Sequence, residues 1–213
     1  ETELTSDGSN DVFIARYNAD GTLAWAKRAG GTEWETCRGI TSLSDGSSVI
    51  SGGFAGAATF GEGESNETTL TATGSVEGSL DVFIARYGAD GTLLWAKQAG
   101  GNASDIANDV KRFNDDSFAL GGRLEGTATF GGGESGETQL SSLGSTDVFV
   151  ARYNSNGTLA WVKAGSGAGG NQAWGVATYA DGSSVAVGSY LESVTFGAGE
   201  ANETVLSNPG QGY

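Results

Sequence analysis

The chain has 213 residues, with 26 acidic against 11 basic side chains, a net charge of −15, no histidine and one cysteine. Like charges repel, so nucleic acid and an anionic membrane surface are disfavoured as partners, and no hydrophobic run approaches the length needed to insert in a membrane. Without histidine the chain lacks the commonest general base near neutral pH and the commonest zinc ligand, and no Ser-His or Cys-His pair is available for nucleophilic catalysis.

The segment that starts at Glu1 returns at Glu67 and Glu137, giving repeats over 1–66, 67–136 and 137–202 and the beginning of a further copy over 203–213. Self-similarity at such a period marks one repeat-built body. Because residue 1 falls inside a repeat, the chain is expected to be a mature product or an excised fragment.

Each repeat reads as strands separated by tight turns. The first strand is predicted over 11–17, Asp-Val-Phe-Ile-Ala-Arg-Tyr, with 81–87 and 147–153 as counterparts, because β-branched and aromatic residues crowd there. The Asp20-Gly21 step supplies the positive φ of a tight hairpin. A second strand follows over 22–27 and ends at Gly30-Gly31. A third is predicted over 38–43, closed by the turn 44–47, with 110–113 and 176–179 as its counterparts. The fourth runs from Ser48 through Gly52-Gly53 to Phe60, and a polar loop over 61–66 leads back to the next copy. This is four antiparallel strands per repeat and no helix.

The first strand carries apolar groups on both faces, as expected of a small sheet lying between two similar sheets. The predicted fold class is therefore all-β, a β-propeller of four-stranded antiparallel blades with about three blade-equivalents over 1–213. A β-sandwich would expose one face of each sheet, and a β-solenoid repeats over a shorter coil.

The series Asp-Val-Phe-Ile-Ala-Arg-Tyr, the Asp-Gly turn, Leu-Ala-Trp-Ala-Lys before Gly-Gly, Gly-Ile with Asp-Gly-Ser, and Ala-Thr-Phe-Gly before Glu-Thr-Thr-Leu recurs in order along essentially the whole chain. In these residues the chain resembles the SBBP-type repeats of bacterial extracellular β-propellers. The resemblance implies a secreted or cell-surface location and a blade order in which the Arg38 strand is innermost, followed by the Val49, Asp11 and Trp25 strands. On that order residues 1 to about 31 supply two outer strands, and the segment from about 166 to 202 supplies only inner ones. Two readings follow. Either two chains exchange half blades in a head-to-tail homodimer, closing a ring of six, or the chain is a segment of a larger propeller.

Candidate chemistry is confined to loops. Glu64, Glu67, Glu134, Glu137, Glu200 and Glu203 recur between the second and third strands of the blade and, with Glu62, offer hard oxygen ligands to calcium. The plainer reading is solvated loop acids. That loop and the one holding Glu33, Glu35, Asp105 and Asp109 are expected on one strongly negative side, which would favour cationic partners. Asp115-Asp116 occupies the turn that is Asp-Gly in the sister repeats, so it is read as a turn and not as a paired-carboxylate active site. Trp25, Trp95 and Trp161 recur at one position and are expected between blades. Trp34 and Trp174 break the repeat, their counterparts being Ser104 and Gly170, and Arg38 and Asn108; they are the foremost candidates for ligand contact. Cys37 stands where the sister repeats have Ala107 and Ala173 and is read as small-residue packing.

The expected function is a non-catalytic extracellular or cell-surface interaction and structural module, binding a protein or glycan at its acidic loop face. The alternative is a lectin with one sugar site per blade.

Overall fold

The computed structural model describes residues 2–74 and 78–208, so residue 1 and the 209–213 end of the expected partial repeat lie outside the described residues. In chain order the first six strands are β1 (Val12–Tyr17), β2 (Leu23–Gly31), β3 (Glu35–Ser42), β4 (Ser48–Phe54), β5 (Ala57–Phe60) and, at the start of the second repeat, β6 (Thr68–Thr71). The next six are β7 (Asp81–Tyr87), β8 (Leu93–Gly101), β9 (Ile106–Arg112), β10 (Phe118–Leu124), β11 (Thr127–Phe130) and, at the start of the third repeat, β12 (Thr138–Ser141). The last six are β13 (Asp147–Tyr153), β14 (Leu159–Ser166), β15 (Gln172–Thr178), β16 (Ser184–Ser189), β17 (Ser193–Phe196) and, in the partial copy, β18 (Thr204–Ser207). The described residues contain no helix, and the paired strands are antiparallel.

The expected strand order holds within the sheets. One sheet runs β3-β4-β7-β8-β11-β12 and its neighbour β9-β10-β13-β14-β17-β18, while β1-β2-β5-β6 and β15-β16 form smaller sheets of their own. Apolar side chains on both faces find partners because these sheets pack face to face. One core joins Val12, Ile14, Ile50, Phe60, Phe83 and Leu93, and the next joins Val82, Phe118, Leu120, Phe130, Phe149 and Val162.

One expected strand is two. The stretch from Ser48 to Phe60 breaks at Ala55-Gly56, where Gly56 takes φ 56°, a backbone conformation costly for any residue with a Cβ. Beyond the break β5 leaves its own sheet and pairs with the outer strand of the preceding one, Gly30 opposite Thr59 and Gly31 opposite Ala58. β6 then pairs with β5. One repeat length therefore carries six strands rather than four, and the hairpin of β5 and β6 is fastened to β2, in the sheet that precedes that of β3 and β4.

A second regularity positions the site. In each inner strand pair the register slips at the same place, between Cys37 and Gly39, between Ala107 and Asp109, and between Ala173 and Gly175. The residue left unpaired by the bulge is Arg38, Asn108 and Trp174 in turn. Such a bulge re-aims a side chain away from the ordinary alternation of the strand.

Cys37 corrects its expectation. Ala107 and Ala173 are buried against the neighbouring sheet, but Cys37 is exposed, because no inner strands stand beside β1 to cover it. The Cys37 side chain faces a groove between β1 and β3.

Candidate functional site

The recurring loop glutamates prove to be fasteners. Glu64 Oε1 lies 2.6 Å from Lys27 Nζ, and its Oε2 accepts the Leu93 N–H at 2.6 Å. Glu134 repeats this with Lys97 at 2.6 Å and the Leu159 N–H at 2.8 Å. Each carboxylate thus ties an outer strand to the outer strand of the following sheet. Glu200 pairs with Lys163 at 2.9 Å. Glu67, Glu137 and Glu203 accept the backbone N–H of Gly63, Gly133 and Gly199 across their own hairpin loops, and Glu62 pairs with Arg28 at 2.7 Å. Glu64 and Glu134 are thus half-covered rather than solvated, with both oxygens engaged, whereas Glu62, Glu67, Glu137, Glu200 and Glu203 are exposed as a solvated loop would have them, each with one oxygen on an ammonium, guanidinium or amide group. Among the described residues no group of three or more His, Cys, Asp or Glu side chains gathers to hold a metal ion.

The two acidic loops also lie apart. Glu35 stands opposite Phe54 and Phe54 opposite Asp81, which sets Glu35, Asp81 and Gly101 at one end of the strands. The β5–β6 loop runs back toward the other end, where Gly61 approaches Leu93 and Leu93 stands opposite Tyr87. The two sets approach in the first repeat, where Arg28 bridges Glu62 to Asp11 beside Glu35 and neutralises part of their charge.

Glu35 and Asp105, expected as exposed contacts, are buried, at 2% and 0% exposure. Each sits beside the aspartate that opens the neighbouring outer hairpin: Asp11 for Glu35 and Asp81 for Asp105. Asp11 Oδ1 and Glu35 Oε2 both lie within 2.8 Å of where a Cβ on Gly30 would stand. Four oxygens of these pairs, Asp11 Oδ1, Glu35 Oε1, Asp81 Oδ1 and Asp105 Oδ2, are buried without a partner. Burial, and after it the neighbouring aspartate's charge, push Glu35 and Asp105 up to about 7. The third repeat places Asn171 at this position, and its amide donates to Asp147 Oδ1 at 3.4 Å. A position that is an amide donor in one repeat and a carboxyl with raised pKa in the other two is one that needs a proton facing the aspartate. These pairs are structural.

Of the remaining expected contacts, Asp109 lies within β9, where it pairs with Lys111 at 2.7 Å and accepts the Val176 N–H at 3.0 Å. Glu33 and Trp34 stay in the β2–β3 loop, exposed. Trp34 bridges Asn10 through the backbone, and its carbonyl accepts the Ala55 N–H at 3.0 Å. Trp174 stands two repeats away on β15.

What the structure does bring together is the row of bulged residues. The Arg38 guanidinium donates to Asn108 Oδ1 at 2.9 Å, and the Asn108 amide donates to the Ala173 carbonyl at 2.7 Å, next to Trp174. Trp174 is 53% exposed, and its Nε1 donates to Ser189 Oγ at 3.2 Å. Arg123 on β10 adds a second cation, half-buried and without an ion-pair partner among the described residues. Burial first, and then the Arg123 charge, hold Arg38 below the usual guanidinium range. In a chain of net charge −15, two arginines close enough to act on one another's charge, neither ion-paired among the described residues, form a local anion-attracting point near an exposed indole. Sequence reading had singled out Trp174 and overlooked Arg123, whose signal is its replacement by Gly53 and Ser189 at the equivalent positions.

Of the recurring tryptophans Trp25 and Trp95 pack between sheets as expected, whereas Trp161 on the last outer strand is exposed. Trp25 Nε1 donates to the Ala89 carbonyl at 3.0 Å, and Trp95 stacks on Phe118 with ring centroids 6.3 Å apart. Arg152 lies 4.2 Å over the Phe113 ring. Asp115 and Asp116 are turn residues: Asp115 caps Ser117, and Asp116 accepts from Ser44 and Arg112.

Two comparisons bear on the class. A family model described as "Domain of unknown function (DUF5122) beta-propeller" matches residues 2–23 and 135–159, the stretches around β1 with its turn and around β13 with its turn. The chain is also 23% identical over 202 residues to the Uncharacterized WD repeat-containing protein L264 of Acanthamoeba polyphaga mimivirus. That similarity covers 86% of this chain and 14% of the relative. Together the two support a propeller-type repeat family, and neither carries the SBBP type that the sequence resembles.

Proposed function

We propose that this chain is a non-catalytic protein-interaction module, built from propeller blades of SBBP type, four strands each with an appended hairpin, and working outside the cell or on a bacterial surface. The observation that carries the reading is the row of bulged residues on the inner strands. Packing demands recurrence from repeat to repeat, and at this register recurrence fails in favour of Arg38, Asn108 and Trp174, with Arg123 beside them. Tryptophan and arginine dominate the energetics of protein interfaces, because each presents a large contact area with a polar end. The partner would place a carboxylate between Arg38 and Arg123 and lay an apolar group on Trp174. No cofactor is assigned, since the loop glutamates already hold protein partners.

A lectin with one pocket per blade is less well supported, because Trp25 and Trp95 are taken up between sheets and the row differs in every repeat. A random peptide library displayed on phage and selected on the immobilised protein tests the proposal. Enriched sequences are expected to contain Asp or Glu near an aromatic or aliphatic residue, and to lose about tenfold or more in affinity on Trp174→Ala or Arg123→Ala, the cost of one hot-spot residue. Failure of selection, or binding of neutral sugars at one per repeat in calorimetry, would overturn it.

A further inference from the structure

Asparagine followed by glycine occurs once in this chain, at Asn156-Gly157, in the turn that joins β13 to β14. The pair matters chemically because a glycine nitrogen has no neighbouring Cβ to screen it, so it can reach the Cγ of the side chain before it and close a cyclic imide. The counterparts of Asn156 are Asp20 and Asp90, each likewise followed by glycine. The third repeat thus holds as an amide the group that its sisters hold as an acid.

The turn treats the two groups alike. Asn156 Oδ1 accepts the Thr158 N–H at 3.0 Å and the Thr158 hydroxyl at 2.7 Å. Asp20 accepts the same pair from Thr22 at 3.0 and 2.6 Å, and Asp90 from Thr92 at 3.1 and 2.7 Å. In the sister turns the threonine hydroxyl, and after it the threonine N–H, hold the carboxylate below its usual range, and the Lys27 charge adds to this at Asp90. Lys97 is the recurring counterpart of Lys27 for the third turn.

These two hydrogen bonds also favour loss of the amide. They rest on the oxygen that gains negative charge when Cγ is attacked, and so stabilise that charge as it develops. Nδ2, the leaving nitrogen, has no partner among the described residues, and Asn156 is exposed, so ammonia departs directly into water. The exposure belongs to the turn and not to its place in the array, because Asp90, with a further sheet on either side, is exposed as well. One bond opposes the attack. The Gly157 N–H is turned back onto the Asn154 carbonyl at 2.9 Å, so the reaction waits on a local opening of the turn. Openings at an exposed hairpin tip are among the least costly motions of a fold.

We propose that Asn156 is a self-modification site, at which the folded chain converts its own asparagine to aspartate and isoaspartate. The Gly157 nitrogen loses its proton to water and bonds to Asn156 Cγ, the Cγ–Nδ2 bond breaks, and ammonia leaves with a proton returned from water. A water molecule then opens the imide. Addition at Cγ restores the peptide bond and leaves aspartate, while addition at the backbone carbonyl leaves the chain running through Cγ as isoaspartate. Aspartate completes the Asp-Gly-Thr turn of the sister repeats with one more negative charge. Isoaspartate lengthens the main chain where the turn is fastened to the preceding sheet: the Ser155 carbonyl accepts the Arg86 guanidinium at 2.7 Å, and a Cβ on Gly157 would stand 3.2 Å from the Trp95 indole. The isoaspartyl form is therefore the one that loosens the contact between sheets. None of these residues belongs to the inner-strand row, so the inference is independent of the partner reading above.

Peptide mapping by mass spectrometry on the purified, folded chain, kept for weeks at mildly alkaline pH and physiological temperature, tests the proposal. The peptide that carries Asn156 is expected to exchange its amide for an acid while those that carry Asn18, Asn66 and Asn114 stay intact, and protein isoaspartyl methyltransferase is expected to label part of the product. Isoelectric focusing should show a more acidic form accumulating at the same rate. Asn156→Asp, the reference for one product, is expected to melt with the fresh wild type and to accumulate no such form. Asn156 remaining intact in the folded chain, including the case where it converts only in urea, would overturn the proposal. So would equal loss at the other asparagines, or a reference variant that melts well below the wild type.

Discussion

Lys97 Nζ lies 2.6 Å from Glu134 Oε1 while the other oxygen of the same carboxylate takes the Leu159 N–H, so one side chain joins two consecutive sheets. The Glu134 side chain is largely covered, with 16% of it exposed. Glu134→Ala is therefore expected to cost about 1–2 kcal/mol, the worth of a charge-assisted hydrogen bond with a half-exposed ion pair. Glu200 has the same lysine contact, is more exposed and takes no N–H from a following sheet among the described residues. Its alanine variant is expected to change stability by no more than about 0.5 kcal/mol. Urea unfolding of the two variants side by side gives the difference, and equal losses would contradict the fastener role.

Stability is expected to fall as pH rises from about 4 to about 7. Glu35 and Asp105 have folded-state pKa values pushed up to about 7, and Asp81 is raised as well, in each case chiefly by burial. The folded chain therefore holds protons that the unfolded chain releases near its ordinary carboxylate range. That contribution is complete below the unfolded pKa and is lost as pH climbs through the folded one. Each tenfold preference for the protonated form is worth about 1.4 kcal/mol. Asp105→Asn copies the Asn171 solution of the third repeat and is expected to raise stability at pH 8 and flatten the slope. Thermal unfolding across the pH series checks this, and a steeper slope in the variant would count against it.

Phe149 is fully buried against Phe130 and over Gly122. Phe149→Ala is expected to cost about 3–5 kcal/mol, the range for emptying an aromatic site in a core. Chemical denaturation measures it, and a loss under about 1 kcal/mol would show that the sheets are not packed as described.

Trp174→Ala is expected to leave folding stability within about 0.5 kcal/mol, since the side chain is exposed and its single hydrogen bond to Ser189 Oγ faces solvent. Any loss of partner binding in this variant then belongs to the contact itself. Matching unfolding curves for variant and wild type, alongside the peptide affinities, separate the two effects.

Much of the fold was legible because repetition multiplies weak signals: the strand at Asp81–Tyr87 is credible three times over. The β4–β5 break was not, because the apolar pattern from Ser48 to Phe60 continues through Gly56 and nothing local says that Ala58 will pair with a strand of the previous sheet. The site was half legible. Trp174 stood out by replacing a different residue in each repeat, but its company with Arg38 and Asn108 depends on a bulge, and a register slip of one residue leaves no mark in composition. Glu35 and Asp105 misled because acidic residues in a loop read as solvated, and only burial against Asp11 and Asp81 shows them otherwise. The fasteners could have been found, since Lys27 and Glu64, Lys97 and Glu134, and Lys163 and Glu200 share one spacing of 37 residues.

The hairpin of β5 and β6 lies in the chain between β4 and β7, two paired strands of one sheet, and is hydrogen-bonded to the sheet before it. Excising the run from β3 to β8 would therefore take a strand pair from the sheet of β1 and β2 as well. Melting should accordingly spread along the array as one event, and a protease that nicks the segment after β6 would loosen two neighbours at once.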